Sequence, residues 1–195
     1  MLLFPILPST TNSIFHMITI ISGTNRKNSK TEIVSKTYLE LFKKNTDEAV
    51  NFFSLDNLPA DFLNEAMYSL DGQSIVLAKL QDEIIIPANK FFVVSPEYNG
   101  GMPGILKLFL DAISVRENAA NFKTKKVGLA GVASGRAGNL RGLDQLTTVF
   151  NHVGSIVMPN KLPISGISSV TDDHTVTDEG TLDTMEKQVK DFIAF

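Results

Sequence analysis

Residues 90–104 read KFFVVSPEYNGGMPG. Lys90 to Pro96 form an aromatic and β-branched run with almost no polar alternation, the pattern of a strand covered on both faces. Two prolines and two adjacent glycines then break the chain. From Gly104 to about Val115 the text is strongly apolar and reads as a helix, with Pro103 opening it where a missing N–H is harmless. A buried strand feeding directly into a helix is half of a βαβ unit.

Working outward, the same unit recurs. MITIIS (Met17 to Ser22), closed by Gly23, reads as a buried strand, and Ile33, Val34, Thr37, Tyr38, Leu41 and Phe42 follow with helical spacing. AVNFFSL (Ala49 to Leu55) is a second strand, and Ser74 is placed to cap a helix running through Leu80 to about Ile86, ended near Pro87. KVGLAGVA (Lys126 to Ala133) and SIVMP (Ser155 to Pro159) are further strands, with a helix predicted between them from about Asn139 to His152. Leu182, Met185, Val189, Phe192 and Ile193 mark one face of a last helix; residues 57–72 match no element well. Five strands alternating with five helices predict a three-layer α/β/α sandwich on a parallel sheet, with KFFVVSP central. Right-handed crossovers and five strands suit the flavodoxin-like order 2-1-3-4-5.

The 195 residues suit one domain, with 43% hydrophobic and 20% charged residues. Residues 1–16, MLLFPILPSTTNSIFH, are broken by Pro5 and Pro8 and are too short to span a bilayer, so they are expected to be an extension outside a core of 17–195. A formal net charge of -3 recommends neither nucleic acid nor an anionic membrane as partner. The absence of cysteine excludes disulfides, thiol nucleophiles and thiolate metal sites, and fits a cytoplasmic location. Lys123, Lys125 and Lys126 read as a solvated loop ahead of a strand. Asp172-Asp173-His174 reads as a polar loop rather than a metal site, and no metal is expected.

In such sheets ligands sit beyond the carboxyl ends of the strands. The loops there are the unusual ones. The first, Ser22 to Thr31, packs hydroxyls, amides and cations against a helix start whose free N–H groups suit an anion. Thr24 and Ser29 offer hydroxyls, and Arg26 a forked donor. Ser29 is also a plain candidate N-cap. Lys30-Thr31 would end a Walker A loop, but Thr24 and Ser29 occupy its glycine positions, and a dinucleotide fingerprint lacks all but Gly23. A single terminal phosphate suits the loop better. The second loop, Ser95 to Gly104, allows close backbone approach to a flat ligand, with Tyr98 at its edge. The third, Ala133 to Asn139, has Gly135 and Gly138, with Arg136 available to a phosphate and Asn139 to cap the next helix.

TNRKNSKT after the first strand, with PEYNGGMPGILKLFLDAIS after the third, resembles the NADPH-dependent FMN reductase family, whose relatives reduce quinones, azo dyes or chromate. The resemblance runs from about Met17 to Phe195. Thr24 stands where that family has serine, and Ala112 where it commonly has tryptophan. The resemblance implies FMN as cofactor and NADPH or NADH as reductant, with a small-molecule electron acceptor such as free flavin or a quinone. It implies that Thr24, Arg26 and Ser29, with Lys30 and Thr31 beside them, hold the FMN phosphate. Pro96, Glu97, Tyr98, Asn99 and Gly100 line the isoalloxazine ring, and Gly135 lies near its other edge. No side chain need act as acid or base, because the flavin carries the chemistry. A homodimer or homotetramer is implied as well. The alternative is an electron carrier or flavin-bound sensor without substantial turnover, although the carriers' T-G-x-T phosphate pattern is missing here.

Overall fold

The computed structural model describes residues 17–69 and 72–195; the expectation for residues 1–16 lies outside them. Strands β1 (Met17–Ser22), β2 (Ala49–Ser54), β3 (Lys90–Pro96), β4 (Lys126–Val132) and β5 (Ile156–Val157) form one sheet in the order β2-β1-β3-β4-β5. Every pairing is parallel, with Ile18–Ser22 opposite Lys90–Val94 and Lys90–Pro96 opposite Lys126–Val132. β3 is central and buried along its whole length.

Alternation along β3 divides the core. Phe91 and Val93 face Phe109, Ile113, Leu143 and Phe150, while Phe92 and Val94 face Val34, Tyr38, Val189 and Phe192. The first group comes from α3 (Gly104–Val115) and α5 (Leu140–His152), the second from α1 (Lys30–Asn45) and α7 (Glu179–Ala194). Phe92 lies within 4.5–5.4 Å, ring centre to ring centre, of Tyr38, Phe42 and Phe192. Burial pushes the Tyr38 phenol well up, and its hydroxyl donates to Gln188 Oε1 at 2.6 Å. Among the described residues no helix is long and apolar enough to cross a membrane.

Four details differ from the sequence expectations. The expected fifth strand is broken: β5 pairs with Lys126 and Val127, and a short sixth strand, β6 (Leu162–Ile164), pairs with Ala130–Val132. Met158–Lys161 thus stand opposite only Gly128 and Leu129, and Pro159 in that segment has no N–H for a ladder. Second, Ser74 stands at the N-cap of α2 (Ile75–Leu80) as expected but its side chain makes no cap bond; the hydroxyl donates to Asp61 Oδ1 at 3.1 Å. The helix continues as a π-helical turn, Gln81–Ile85, with Ile86 N donating to Gln81 O at 2.8 Å. Third, two short helices, α4 (Asn118–Phe122) and α6 (Ile167–Val170), are added.

Fourth, Lys125 is not solvated. Only 8% exposed, its ammonium donates to Ile85 O at 2.6 Å and Ile86 O at 2.9 Å, covering carbonyls that the π turn leaves open. Burial pushes its pKa down to about 8 from the ordinary 10.5. A depressed base binds fewer protons folded than unfolded across that interval, so stability should rise as pH climbs from about 8 to about 10.5 and carry the full burial cost below it. The expected gain lies below about 3.4 kcal/mol, reduced by whatever part of the charge solvent screens. Urea unfolding across this range should show a rise in wild type that Lys125→Met lacks; parallel curves for the two would refute it.

Candidate functional site

The carboxyl ends of β1, β3 and β4 meet at a crevice of about 390 Å³, within the rough 300–1,000 Å³ range of small-molecule sites. Local chemistry builds its first wall. Ser29, at the N-cap of α1, accepts Glu32 N on its hydroxyl at 3.1 Å. That leaves the hydroxyl hydrogen free to donate. The N–H groups of Lys30 and Thr31, first in α1, have no acceptor within the helix, and the helix dipole adds positive potential there. Arg26 is exposed at the mouth.

The second wall is the end of β3 and the loop after it. Tyr98 N donates to Gly101 O at 3.0 Å and Gly101 N to Tyr98 O at 3.2 Å, closing a two-residue turn. Asn99 (φ 52°) and Gly100 (φ 78°) occupy its corners, both left-handed, as an Asn-Gly turn of this kind requires. The N–H groups of Asn99 and Gly100 take no part in closing it. Glu97 N is committed to Val132 O at 2.9 Å. The two walls are stapled together: Thr24 Oγ1 lies 2.6 Å from the Tyr98 hydroxyl and also accepts Arg26 N at 3.2 Å.

Of the residues singled out in the sequence, Arg26, Ser29, Lys30, Thr31, Pro96, Glu97 and Tyr98 line the crevice. Thr24, 1% exposed, lies behind the wall as the staple. Asn99 and Gly100 form the turn beyond the lining, and Gly135 is exposed on the third loop, with nothing within 4 Å of where a side chain would begin. The Lys30 ammonium turns away to Asp172 O at 2.9 Å and Asp173 Oδ1 at 3.2 Å, so only its backbone end is offered to the crevice. The Asp172 carboxylate accepts His174 N and Thr175 N, both at 2.7 Å, and these bonds hold its pKa below the usual range.

Asn28, Ala133 and Ser134, from within the expected loops though not picked out there, and Val132, Ile167 and Ser168, which the sequence reading missed, complete the lining. Ile167 and Ser168 arrive through β6: Ala133 N donates to Ile164 O at 3.0 Å and Ile167 N to Ala133 O at 3.1 Å. Asn139 also departs from expectation. It stands at the start of α5, but its side chain makes no cap bond and instead reaches the end of β3. A second cavity, of about 340 Å³, lies at the opposite end of the sheet among Lys90, Lys123, Lys125 and Lys126. The ammonium groups of Lys90, Lys125 and Lys126 there are already bonded to main-chain oxygens, those of Ile193, Ile85 and Phe195.

Fold and crevice together define a flavodoxin-like α/β protein with an open crevice across the carboxyl ends of its central strands. Residues 17–168 match the NADPH-dependent FMN reductase family, and the chain belongs to that family of oxidoreductases. A curated relative, NADPH azoreductase of Bacillus sp. (strain OY1-2), is 25% identical over 150 residues, 77% of each chain. FerB, described as a flavoenzyme NAD(P)H:(acceptor) oxidoreductase from Paracoccus denitrificans, shares the fold with a TM-score of 0.69 at 22% identity, over 92% of this chain and 96% of its own. The NADH:FMN oxidoreductase EMOB superposes with a TM-score of 0.71 at 20% identity, over 91% of this chain and 88% of its own.

Proposed function

We propose that the crevice binds FMN and that the protein is an NAD(P)H-dependent reductase serving a small-molecule acceptor. The observation that carries this reading is the pair of facing walls. An anion-ready helix start and the Pro96–Tyr98 segment that leads into the Asn-Gly turn stand on either side of one crevice, tied together by the 2.6 Å Thr24–Tyr98 contact. The donor set fits a flavin mononucleotide. A phosphate is matched by the Ser29 hydroxyl, the Lys30 and Thr31 N–H groups and the Arg26 guanidinium. A flat polar ring is matched by Pro96, Tyr98 and the backbone of Asn99 and Gly100, with Gly135 open toward its other edge.

Bound there, FMN supplies two-electron exchange between reduced nicotinamide and an acceptor such as free flavin or a quinone. The chain's own residues bind and orient. The N–H groups of Asn99 and Gly100 would offer fixed dipoles to negative charge on a ring bound there, and such preorganised donors lower a barrier without a side-chain acid or base. Glu97 is occupied in the scaffold, its carboxylate accepting Asn139 N at 3.2 Å. A homodimer or homotetramer belongs to the same reading; Ile75, 86% exposed, with Val76 and Leu108 leaves apolar surface on α2 and α3 for it.

The test is steady-state oxidation of NADPH and NADH by the FMN-loaded protein, with free flavin and a quinone as acceptors. Saturable, acceptor-dependent turnover is expected. Flavin binding without turnover would instead make the protein a carrier or sensor.

A further inference from the structure

Asn139 is fully buried and holds a left-handed backbone, φ 68°. Asparagine visits that region more readily than other residues with a side chain, but glycine does so without strain. The side chain forgoes the usual reward at a helix start, since its Oδ1 is buried without a partner. Its amide goes elsewhere. Nδ2 donates to Ser95 O and Pro96 O, each at 2.9 Å, with Ser95 Oγ at 3.3 Å. Its backbone N donates to Glu97 Oε2 at 3.2 Å. All these contacts fall on the three residues that precede Tyr98. The second loop is held elsewhere by Glu97 N to Val132 O at 2.9 Å, by Met102 N to Gln145 Oε1 at 2.9 Å and by the Thr24–Tyr98 contact, but among the described residues Asn139 is the third-loop residue whose side chain bonds to it.

We infer that Asn139 is the positioning residue of the crevice, locking Ser95, Pro96 and Glu97 so that Tyr98 and the Asn99-Gly100 turn meet the flavin at one fixed place. The inference rests on the FMN reading. Its logic is that a turn's dipoles help only when aimed: Glu97 N on Val132 O and the Tyr98 hydroxyl on Thr24 hold the loop at single points, and a side-chain amide bonded to two successive carbonyls fixes the orientation of the segment entering it. Asn139 does this from the side of β4, the strand that carries the third loop.

Two variants separate this role from plain folding. Asn139→Gly keeps the left-handed backbone and the N–H to Glu97 and deletes only the side-chain bonds. Asn139→Asp keeps the shape but turns a carboxylate toward the Ser95 and Pro96 carbonyl oxygens. FMN affinity, the midpoint potential of the bound flavin and the split between kcat and KM are measured beside the melting temperature of the apoprotein. Asn139→Gly should weaken FMN binding about tenfold and displace the potential, with the apoprotein melting within about 4 °C of wild type. Asn139→Asp should do so more strongly. Wild-type affinity and potential in both variants would overturn the inference while leaving the FMN reading intact. An apoprotein that melts far lower in both would assign Asn139 to the fold instead. A wild-type protein that binds no FMN would overturn the reading and the inference together.

Discussion

The triple variant Thr24→Val/Arg26→Ala/Ser29→Ala should fold and purify without flavin colour, with FMN affinity reduced at least about 100-fold. Two of the three changes remove donors from the phosphate end. A hydrogen bond to a charged group contributes roughly 1.5–3 kcal/mol, so losing the Arg26 fork and the Ser29 hydroxyl exceeds the roughly 2.7 kcal/mol that 100-fold represents. Valine at 24 keeps the shape of a buried threonine but cuts the contact to the Tyr98 hydroxyl, so the two walls of the crevice lose their staple. The cost to the fold is smaller. Removing the Ser29 cap bond to Glu32 N should cost about 1 kcal/mol, a shift of a few degrees in melting temperature. Equilibrium titration with FMN checks this, alongside Arg26→Ala alone, which touches only an exposed side chain. Wild-type flavin content in the triple variant would remove these residues from the phosphate site.

Gly131→Ala should destabilise the fold strongly for so small a substitution. A methyl group there would sit 2.2 Å from the Gly138 carbonyl oxygen, with Asn139 Cβ and Leu143 Cδ1 at 3.1 Å. The first neighbour is backbone and cannot step aside as a flexible side chain would. β4 is buried around it, so relief must come from pushing the third loop outward, away from β3. Overpacking of this kind costs about 1–3 kcal/mol and occasionally more, equivalent to a drop of roughly 3–10 °C in a domain of this size. The displaced loop carries Asn139, so FMN affinity should fall with stability. Gly135→Ala is the control: nothing lies within 4 Å of its added methyl, and stability should stay within about 0.5 kcal/mol of wild type. Equal melting temperatures for the two variants would contradict the packing described for β4.

Much of this architecture is legible in the chain because both sheet faces are covered. A strand such as KFFVVSP must then be apolar throughout, and the helices betray themselves by spacing. β6 is illegible for the opposite reason. Leu162–Pro163–Ile164 is three residues long with a proline at its centre, tolerable because it pairs only with β4. Missing it hid Ile167 and Ser168 from the site. Lys125 shows a second limit, since a charge run is usually solvated and only the π turn at Ile85 and Ile86 creates acceptors to bury it against. That Arg26, Ser29, Lys30 and Thr31 line the crevice was legible from type and position alone. The Thr24–Tyr98 and Asn139–Ser95 contacts were not, because they join residues 74 and 44 positions apart. The Asn99-Gly100 dipeptide is a known turn signal, yet its reading as a closed hairpin needed the Tyr98–Gly101 pair of bonds.

The most direct test of the central claim is a two-stage anaerobic titration of the FMN-loaded protein. NADPH or NADH is added first while the visible flavin band is followed, and a quinone or excess free flavin is added second. The account predicts that reduced nicotinamide bleaches the band at a saturable rate and that the acceptor restores it. A band that persists with both nucleotides, on a protein shown to hold FMN, would contradict the reductase reading.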